Sequence, residues 1–435
     1  SISRGMKMAE KAKVATMSGT NAVFAKTQIS FWHSFSGQLS KTAEQLIGMF
    51  NESQDEFEVQ GFYRGTYDES LTAAIAAVRS GNPPAVLQAP GTSTQSLLLS
   101  GVVYPVHQLM ADQAVGVDWE DFLPAIFGVY SHEGNLYSLP FNTSTPILYY
   151  NKDMFAEAGL DPEQPPITWQ DVEKVSRILL DSGAARYGFT TGWPGGYLVT
   201  DTLSWHGVPL ASHGNGFDSL DAELLINSGL AVDHISSLAK WQEEGIYHYG
   251  GRGDNPNWLF LTGECAMMLH SSALIGSMKE SGINWGATEI PHWGDPYPKV
   301  NTTAGGATLW VMKGHDSTIY RGVAEFFDFL IQPEQQAWWH RQTGYVPASK
   351  SAMELLTNEG HFDAEPYQLI AVNQLVTEPT VDTRGVRLGD YVEVRSIIED
   401  ELENIFGGKK SVQDALDSAV KEGNIILQEF AEIYQ

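Results

Sequence analysis

Gly407-Gly408-Lys409-Lys410-Ser411 groups glycines and lysines as a phosphate-cradling loop does. It lacks the earlier Gly and the Ser or Thr directly after the first Lys, so it is not such a loop. The chain has 12 histidines, but none form an i, i+4 pair and no His-Glu-x-x-His occurs. Two imidazoles on one helix face need that spacing, so dispersed surface or core histidines are expected rather than a metal site. Gly251-Arg252-Gly253 lacks the third glycine of a dinucleotide turn, and Arg252-Gly253-Asp254 spells an adhesion-like tripeptide that reads as a chance loop. No Gly-x-Ser-x-Gly nucleophile elbow is present. Carboxylate pairs are abundant among 53 acids and therefore not diagnostic, which leaves a glycosidase reading open. The single cysteine, Cys265, permits no intrachain disulfide and reads as a buried thiol beside Ala266, Met267 and Met268.

Aromatic residues stand out, with 12 Trp, 17 Tyr and 19 Phe, many of them beside Gly and Ser rather than in apolar helical runs. Trp and Tyr offer a flat apolar face with a polar edge, which suits polyols and sugars, although most serve as core. Three clusters lie in polar-flanked loops at predicted strand ends: Trp32-His33-Ser34, Thr191-Gly192-Trp193-Pro194-Gly195 and Thr343-Gly344-Tyr345-Val346-Pro347. Ligand contact is the expectation for these, Trp32 and His33 included.

Strands alternating with helices must position those loops. Gln28–Trp32 reads as a strand, and Leu39, Ala43, Leu46, Ile47 and Phe50 follow at helical spacing. Phe57–Tyr63 is the next strand; Tyr67, Leu71, Ala74, Ile75 and Val78 mark a helix stopped by Gly81, Pro83 and Pro84, before a strand at Ala85–Leu87. This order predicts a mostly parallel sheet with helices on both faces and ligands beyond the strand C-terminal ends. A chain of 435 residues suits two lobes, and a first crossing between them is expected within 134–153. Thr168-Trp169-Gln170-Asp171 supplies a helix-capping signal.

Lys plus Arg is 26 against 53 acids, a formal net charge of −27 that repels nucleic acid and anionic lipid alike. No apolar run reaches the roughly 18–20 residues needed to cross a bilayer. Lysines at 7, 11 and 13 precede a diluted apolar stretch ending in Val23-Phe24-Ala25, which resembles an export-signal cleavage site. Residues 1–27 are therefore read as an N-terminal extension, either a signal remnant or a disordered or tagged terminus.

Gly134 to Pro140, Tyr149-Tyr150-Asn151-Lys152-Asp153, Ala158-Gly159-Leu160-Asp161-Pro162 and Thr168-Trp169 resemble the family 1 extracellular solute-binding proteins of ABC importers. Pro140-Phe141-Asn142-Thr143-Ser144-Thr145-Pro146, Gly305 to Met312, Trp339 to Tyr345, and Arg387-Leu388-Gly389 followed by Arg395 are similar to its glycerol-3-phosphate receptors. The resemblance spans nearly everything after residue 27. It implies a periplasmic-binding-protein-like α/β fold with two α/β lobes joined by a multi-segment hinge, lobe 1 being 28–142 and 305–342, and lobe 2 being 143–304 and 343–435. It also implies a monomeric periplasmic receptor without cofactor, metal or catalytic step, which delivers a small ligand to the transmembrane subunits of an ABC permease.

Carried over by position, the resemblance puts Tyr67, Ser144, Ser271, Gly306, Tyr345 and Arg395 around the ligand and stacks Trp193 on its glycerol part. Hydroxyls and a backbone N–H can donate to phosphate oxygens, and the guanidinium fork of Arg395 matches a pair of them. An ion pair with one of the many acids is the bland alternative for Arg395. Two departures stand out: Gly91 occupies the place of a family Glu, and Gly196 that of a second Trp. Both remove bulk, so the expected ligand is glycerol 3-phosphate or a related glycerophosphodiester such as glycerophosphocholine. A sugar or oligosaccharide receptor is the alternative, ahead of a secreted glycoside- or phosphodiester-cleaving enzyme.

Overall fold

The computed structural model describes residues 26–375 and 378–435. The cleavage-like stretch ending at Ala25 lies outside the described residues. In β1 (Thr27–His33) Ile29, Phe31 and His33 are buried in alternation, as a half-buried strand requires. Helix α1 (Gly37–Ser53) then buries Ala43, Leu46, Ile47 and Phe50 at helical spacing. After β2 (Phe57–Tyr63), Thr66 and Glu69 form a reciprocal capping box that starts α2 (Tyr67–Arg79), so the local sequence sets where Tyr67 stands. The strands β3 (Val86–Pro90), β4 (Val103–Tyr104), a small hairpin β5 (Ser131–His132) and β6 (Asn135–Leu136), β7 (Leu139–Ser144) and β8 (Pro146–Asn151) follow. Later come β9 (Tyr187–Thr191), β10 (Cys265–Ser271), β11 (Trp285–Thr288) and β12 (Gly305–Met312). The longer later helices are α3 (Trp169–Asp181), capped by Thr168 and Asp171 as the sequence predicts, α4 (Leu230–Glu244), α5 (Ser317–Leu330), α6 (Pro333–Thr343), α7 (Tyr391–Phe406) and α8 (Val412–Tyr434).

Two sheets result, one per lobe. The first runs β2-β1-β3-β12-β4 with β7 also paired to β12, and the second β11-β8-β10-β9. Only β2-β1-β3 and β9-β10 are parallel; β12 opposes β3, β4 and β7, while β8 opposes both β10 and β11. The expectation of mostly parallel sheets therefore gives way to mixed ones. The physical reason is that the chain enters each sheet again from the other lobe, and a strand arriving from across the hinge has no crossover helix to turn it parallel.

Each sheet has its own core, one around Ile29, Phe31, Leu309 and Phe327, the other around Trp169, Phe189, Leu269 and Trp241. Sheet membership puts the first crossing between Ser144 and Pro146, where the sequence expectation has it after 142. Core membership keeps Tyr345, Val346, Ala348, Ala371 and Val372 with the first lobe, where the expectation passes to the second after 342. Residues of α7 and α8 pack on the second core. Among the described residues no helix is long and apolar enough to cross a membrane, and no group of acids, His or Cys is placed to hold a metal. Cys265 is buried, which pushes its thiol pKa up to about 12.

Candidate ligand-binding site

The floor of the site is where β7 meets β12. Ser144 lies opposite Gly305 and Thr143 opposite Gly306. Gly306 has φ +90°, and a Cβ there would stand 1.9 Å from the Asn142 carbonyl oxygen, so no other residue fits this approach. Asn142, fully buried, is the hub: its Oδ1 accepts from Gln88 Nε2 at 2.9 Å and its Nδ2 donates to the Tyr67 hydroxyl at 3.3 Å. Gln88 is itself aimed by the Ser34 amide, which donates to its Oε1 at 2.8 Å. Asn142 also interacts with the Tyr345 hydroxyl, and Val346 N donates to Thr143 O at 2.7 Å, tying the Tyr345 segment to β7. The Tyr345 ring stacks on Trp339 (5.6 Å, 13°), which stacks on Phe141 (4.9 Å, 17°). Burial drives the Tyr67 phenol up to about 12 and Tyr345 well above its ordinary value, so both remain hydroxyls at any physiological pH.

The second lobe supplies the facing wall. Ser271 closes β10 opposite Pro146; its Oγ accepts from Ala273 N at 3.1 Å, which leaves the hydroxyl proton free to donate. Trp193 follows β9 in a left-handed conformation, φ +42°, held by its amide donating to Gly253 O at 3.1 Å and its indole donating to Asp254 Oδ1 at 3.3 Å. Its ring centroid is 6.0 Å from that of Tyr67, which joins the two lobes across the cleft.

Arg395 projects from α7. Its guanidinium carbon lies 5.2 Å from the Tyr391 ring centroid and its Nη2 donates to Thr200 Oγ1 at 3.2 Å, while its buried Nε has no partner among the described residues. Burial opposes its charge, but Tyr391, Glu399 and Asp201 outweigh this and hold its pKa above the ordinary value. Asp201, at the end of a π-helical turn (Gly196–Asp201), is pushed up to about 6 by burial, against a hydrogen bond from Thr302 and the Arg395 charge. Gly196 admits the guanidinium: a Cβ there would stand 3.0 Å from Nη1.

A family model described as bacterial extracellular solute-binding protein matches residues 45–365. The chain belongs to this family. The sn-glycerol-3-phosphate-binding periplasmic protein UgpB of Salmonella typhimurium is 40% identical over 416 residues, covering 94% of this chain and 95% of its own length. Its namesake from Yersinia pseudotuberculosis is 39% identical over 422 residues, covering 96% of both chains. Among solved structures, UgpB of Mycobacterium tuberculosis in complex with glycerophosphocholine has a TM-score of 0.78 at 24% identity, covering 93% of this chain and 99% of that one. Maltose-bound MalE3 of T. maritima has a TM-score of 0.75 at 15% identity, covering 92% of this chain and 99% of its own. These neighbours share the two-lobed α/β fold expected from the sequence. As a periplasmic solute-binding protein, this chain acts outside the cytoplasm.

In this solute-binding protein, Tyr67, Ser144, Gly306 and Tyr345 from the first lobe and hinge meet Trp193, Ser271 and Arg395 from the second. Asn142 links Tyr67 and Tyr345, Ser272 N donates to Thr145 O beside Ser144, and Arg395 lies against Gly195 and Gly196, which follow Trp193. Trp32 and His33 do not join them. Trp32 packs on the small core of Ala74 and Leu87 under the Arg64 guanidinium, 4.4 Å from its ring. His33 is buried with Nδ1 accepting from Phe35 N, and burial lowers its pKa to about 4. A strand-end position and polar flanks do not separate a cleft residue from one that a neighbouring cation covers.

Where the family Glu is missing, a Cβ on Gly91 would stand 3.6 Å from the Tyr130 hydroxyl, which is buried and unpartnered. The tripeptide Arg252-Gly253-Asp254 is spent within the chain: Arg252 pairs with Glu399, Asp400 and Glu403 of α7, and Asp254 contacts Trp193 and His270. Sequence reasoning missed Asn142, Thr200, Asp201 and Asp254. Asn142 alone carried a usable signal, a buried-strand amide in the polar run between Pro140 and Pro146.

Proposed function

We propose that this solute-binding protein captures glycerol 3-phosphate, or a glycerophosphodiester such as glycerophosphocholine, between its lobes and delivers it to an ABC permease. One observation carries the reading: a buried, permanently charged Arg395 keeps an unpartnered Nε beside the π-helical turn of the second lobe. A buried donor on a charge is costly to leave unpaired, and a phosphate oxygen would satisfy it. The hydroxyls of Tyr67, Ser144, Ser271 and Tyr345 add donors, Gly306 brings backbone close, and the Trp193 face takes the glycerol carbons. The names of the curated relatives support the same ligand class.

Contacts to the ligand from both lobes exist together only in the closed form, so binding shifts the population towards closure, and the closed form is what the transmembrane subunits receive. The protein works as a monomer, and capture and release involve no catalytic step. The net charge does not prevent anion capture, because screening over about 8 Å leaves the decision to local donors. Gly91 and Gly196 lack the side chains that the resemblance leads one to expect, which is why a diester is considered beside the monoester, although the Arg395 guanidinium fills the place next to Gly196. Calorimetry with glycerol 3-phosphate, glycerophosphocholine and maltose tests the proposal. Micromolar binding of a phosphate ester, about −8 kcal/mol, is expected; heat from maltose alone would transfer the protein to the sugar receptors.

A further inference from the structure

The missing acid at Gly91 leaves the glycerol hydroxyls of the proposed ligand without the acceptor that the resemblance leads one to expect. An acid does face the site, from the other lobe. Asp254 retains 57% of its side-chain surface. It is bonded to the Trp193 indole, whose ring centroid stands 6.0 Å from that of Tyr67 in the first lobe, which puts the carboxylate at the border of the two lobes. One of its oxygens is fixed: Oδ1 accepts from Trp193 Nε1 at 3.3 Å and stands 3.1 Å from His270 Nε2. His270 Nε2 approaches this oxygen without hydrogen-bond geometry, while its Nδ1 accepts from Ser271 N at 2.7 Å, so the Trp193 indole is the anchor. Oδ2 has no hydrogen bond among the described residues.

We propose that Asp254 is a specificity-determining ligand residue, whose Oδ2 accepts hydrogen bonds from the hydroxyls of a polyol phosphate stacked on Trp193. The inference rests on the phosphate-ester reading above. A carboxylate anchored through one oxygen presents the other at a fixed height beside the indole edge, where hydroxyls of a stacked three-carbon chain project. The other acids around Arg395 are less suited: Asp201 is buried and accepts from Thr302, Glu399 pairs with Arg252, and Asp68 has no bond to Trp193. Burial works to raise the Asp254 pKa, but His270 and Trp193 outweigh it and keep the carboxyl below its ordinary value, hence an acceptor at neutral pH.

The test compares glycerol 3-phosphate with n-propyl phosphate, which has the same phosphate and carbon count without hydroxyls, on wild type, Asp254→Ala and Asp254→Asn. The ratio of the two affinities is the readout. Wild type is expected to prefer glycerol 3-phosphate by about tenfold or more, as hydrogen bonds to a charged acceptor allow. Both variants should reduce that preference to about threefold or less. Asn keeps an oxygen for Trp193 but turns an N–H₂ towards the cleft, so it separates acceptance of ligand hydroxyls from support of the indole. Undiminished preference in either variant overturns the role of Asp254. Wild type that binds neither ester overturns the phosphate reading and this one with it.

Discussion

Gly196 and Arg395 are fitted to each other: the glycine has no side chain where the guanidinium lies, and a Cβ would come within 3.0 Å of Nη1. The absence of a second Trp at this place is therefore coupled to where the Arg395 guanidinium, the proposed anion-binding group, sits.

Gly196→Ala should weaken phosphate-ester binding several-fold, because Nη1 must give way by a few tenths of an ångström. Its stability should change by no more than about 0.5 kcal/mol, since the neighbour is the end of a flexible side chain. Titration and a thermal melt of the same sample check both halves. Gly196→Trp should displace the guanidinium and cost binding more than tenfold.

Gly306→Ala meets backbone instead, with a Cβ 1.9 Å from the Asn142 carbonyl oxygen and φ at +90°. A stability loss of about 3 kcal/mol is expected from strain and displaced backbone. Denaturant unfolding followed by circular dichroism measures it.

Asn142→Leu removes the hub between Gln88, Tyr67 and Tyr345 and leaves buried polar groups unpaired. The loss should be about 2–3 kcal/mol of stability together with weakened ligand binding, whereas Tyr67→Phe, which keeps the Gln88 contact, should be milder. Paired melts and titrations distinguish the two.

Acid should destabilise the protein through buried neutral histidines. Burial depresses His33 to about 4, and His234 and His340 to about 3, all below the unfolded value of 6.5. Between those limits the unfolded chain binds more protons than the folded one. Stability is therefore complete above about pH 6.5 and is lost as pH falls towards 3. Asp201, raised by burial to about 6, works in the opposite sense, as do Asp68, Glu325 and Glu399, but burial also lowers His107, His206 and His248, and the three most depressed histidines have the largest shifts. Melting temperatures at pH 7.5, 6 and 5 should fall in that order.

Local periodicity carried much of the fold. The βαβ order from Gln28 to Leu87, the Thr168–Asp171 capping box and the buried Cys265 follow from neighbours in sequence, which periodicity and caps report directly. Strand direction did not, because whether β8 or β12 runs with or against its partners depends on chain returning across the hinge. Trp193 and Tyr345 could be singled out from their polar-flanked loops, whereas Tyr67, Ser144, Ser271, Gly306 and Arg395 were legible only through resemblance, since Tyr67 and Arg395 are separated by most of the chain. Asp254 was hidden for a related reason: its partners Trp193 and His270 come from other strand ends, and a tripeptide read alone does not show what its carboxylate faces.

Arg395, whose guanidinium lies buried against Gly196 with Nε unpartnered among the described residues, is the residue proposed to receive the phosphate. Calorimetric titration of glycerol 3-phosphate into wild type and Arg395→Ala tests this directly, with a thermal melt to show that the variant is folded. Micromolar binding by wild type and a loss of about 100-fold in the variant are predicted, in line with removal of a buried charge-assisted pair. Equal affinity in the two proteins would contradict the account.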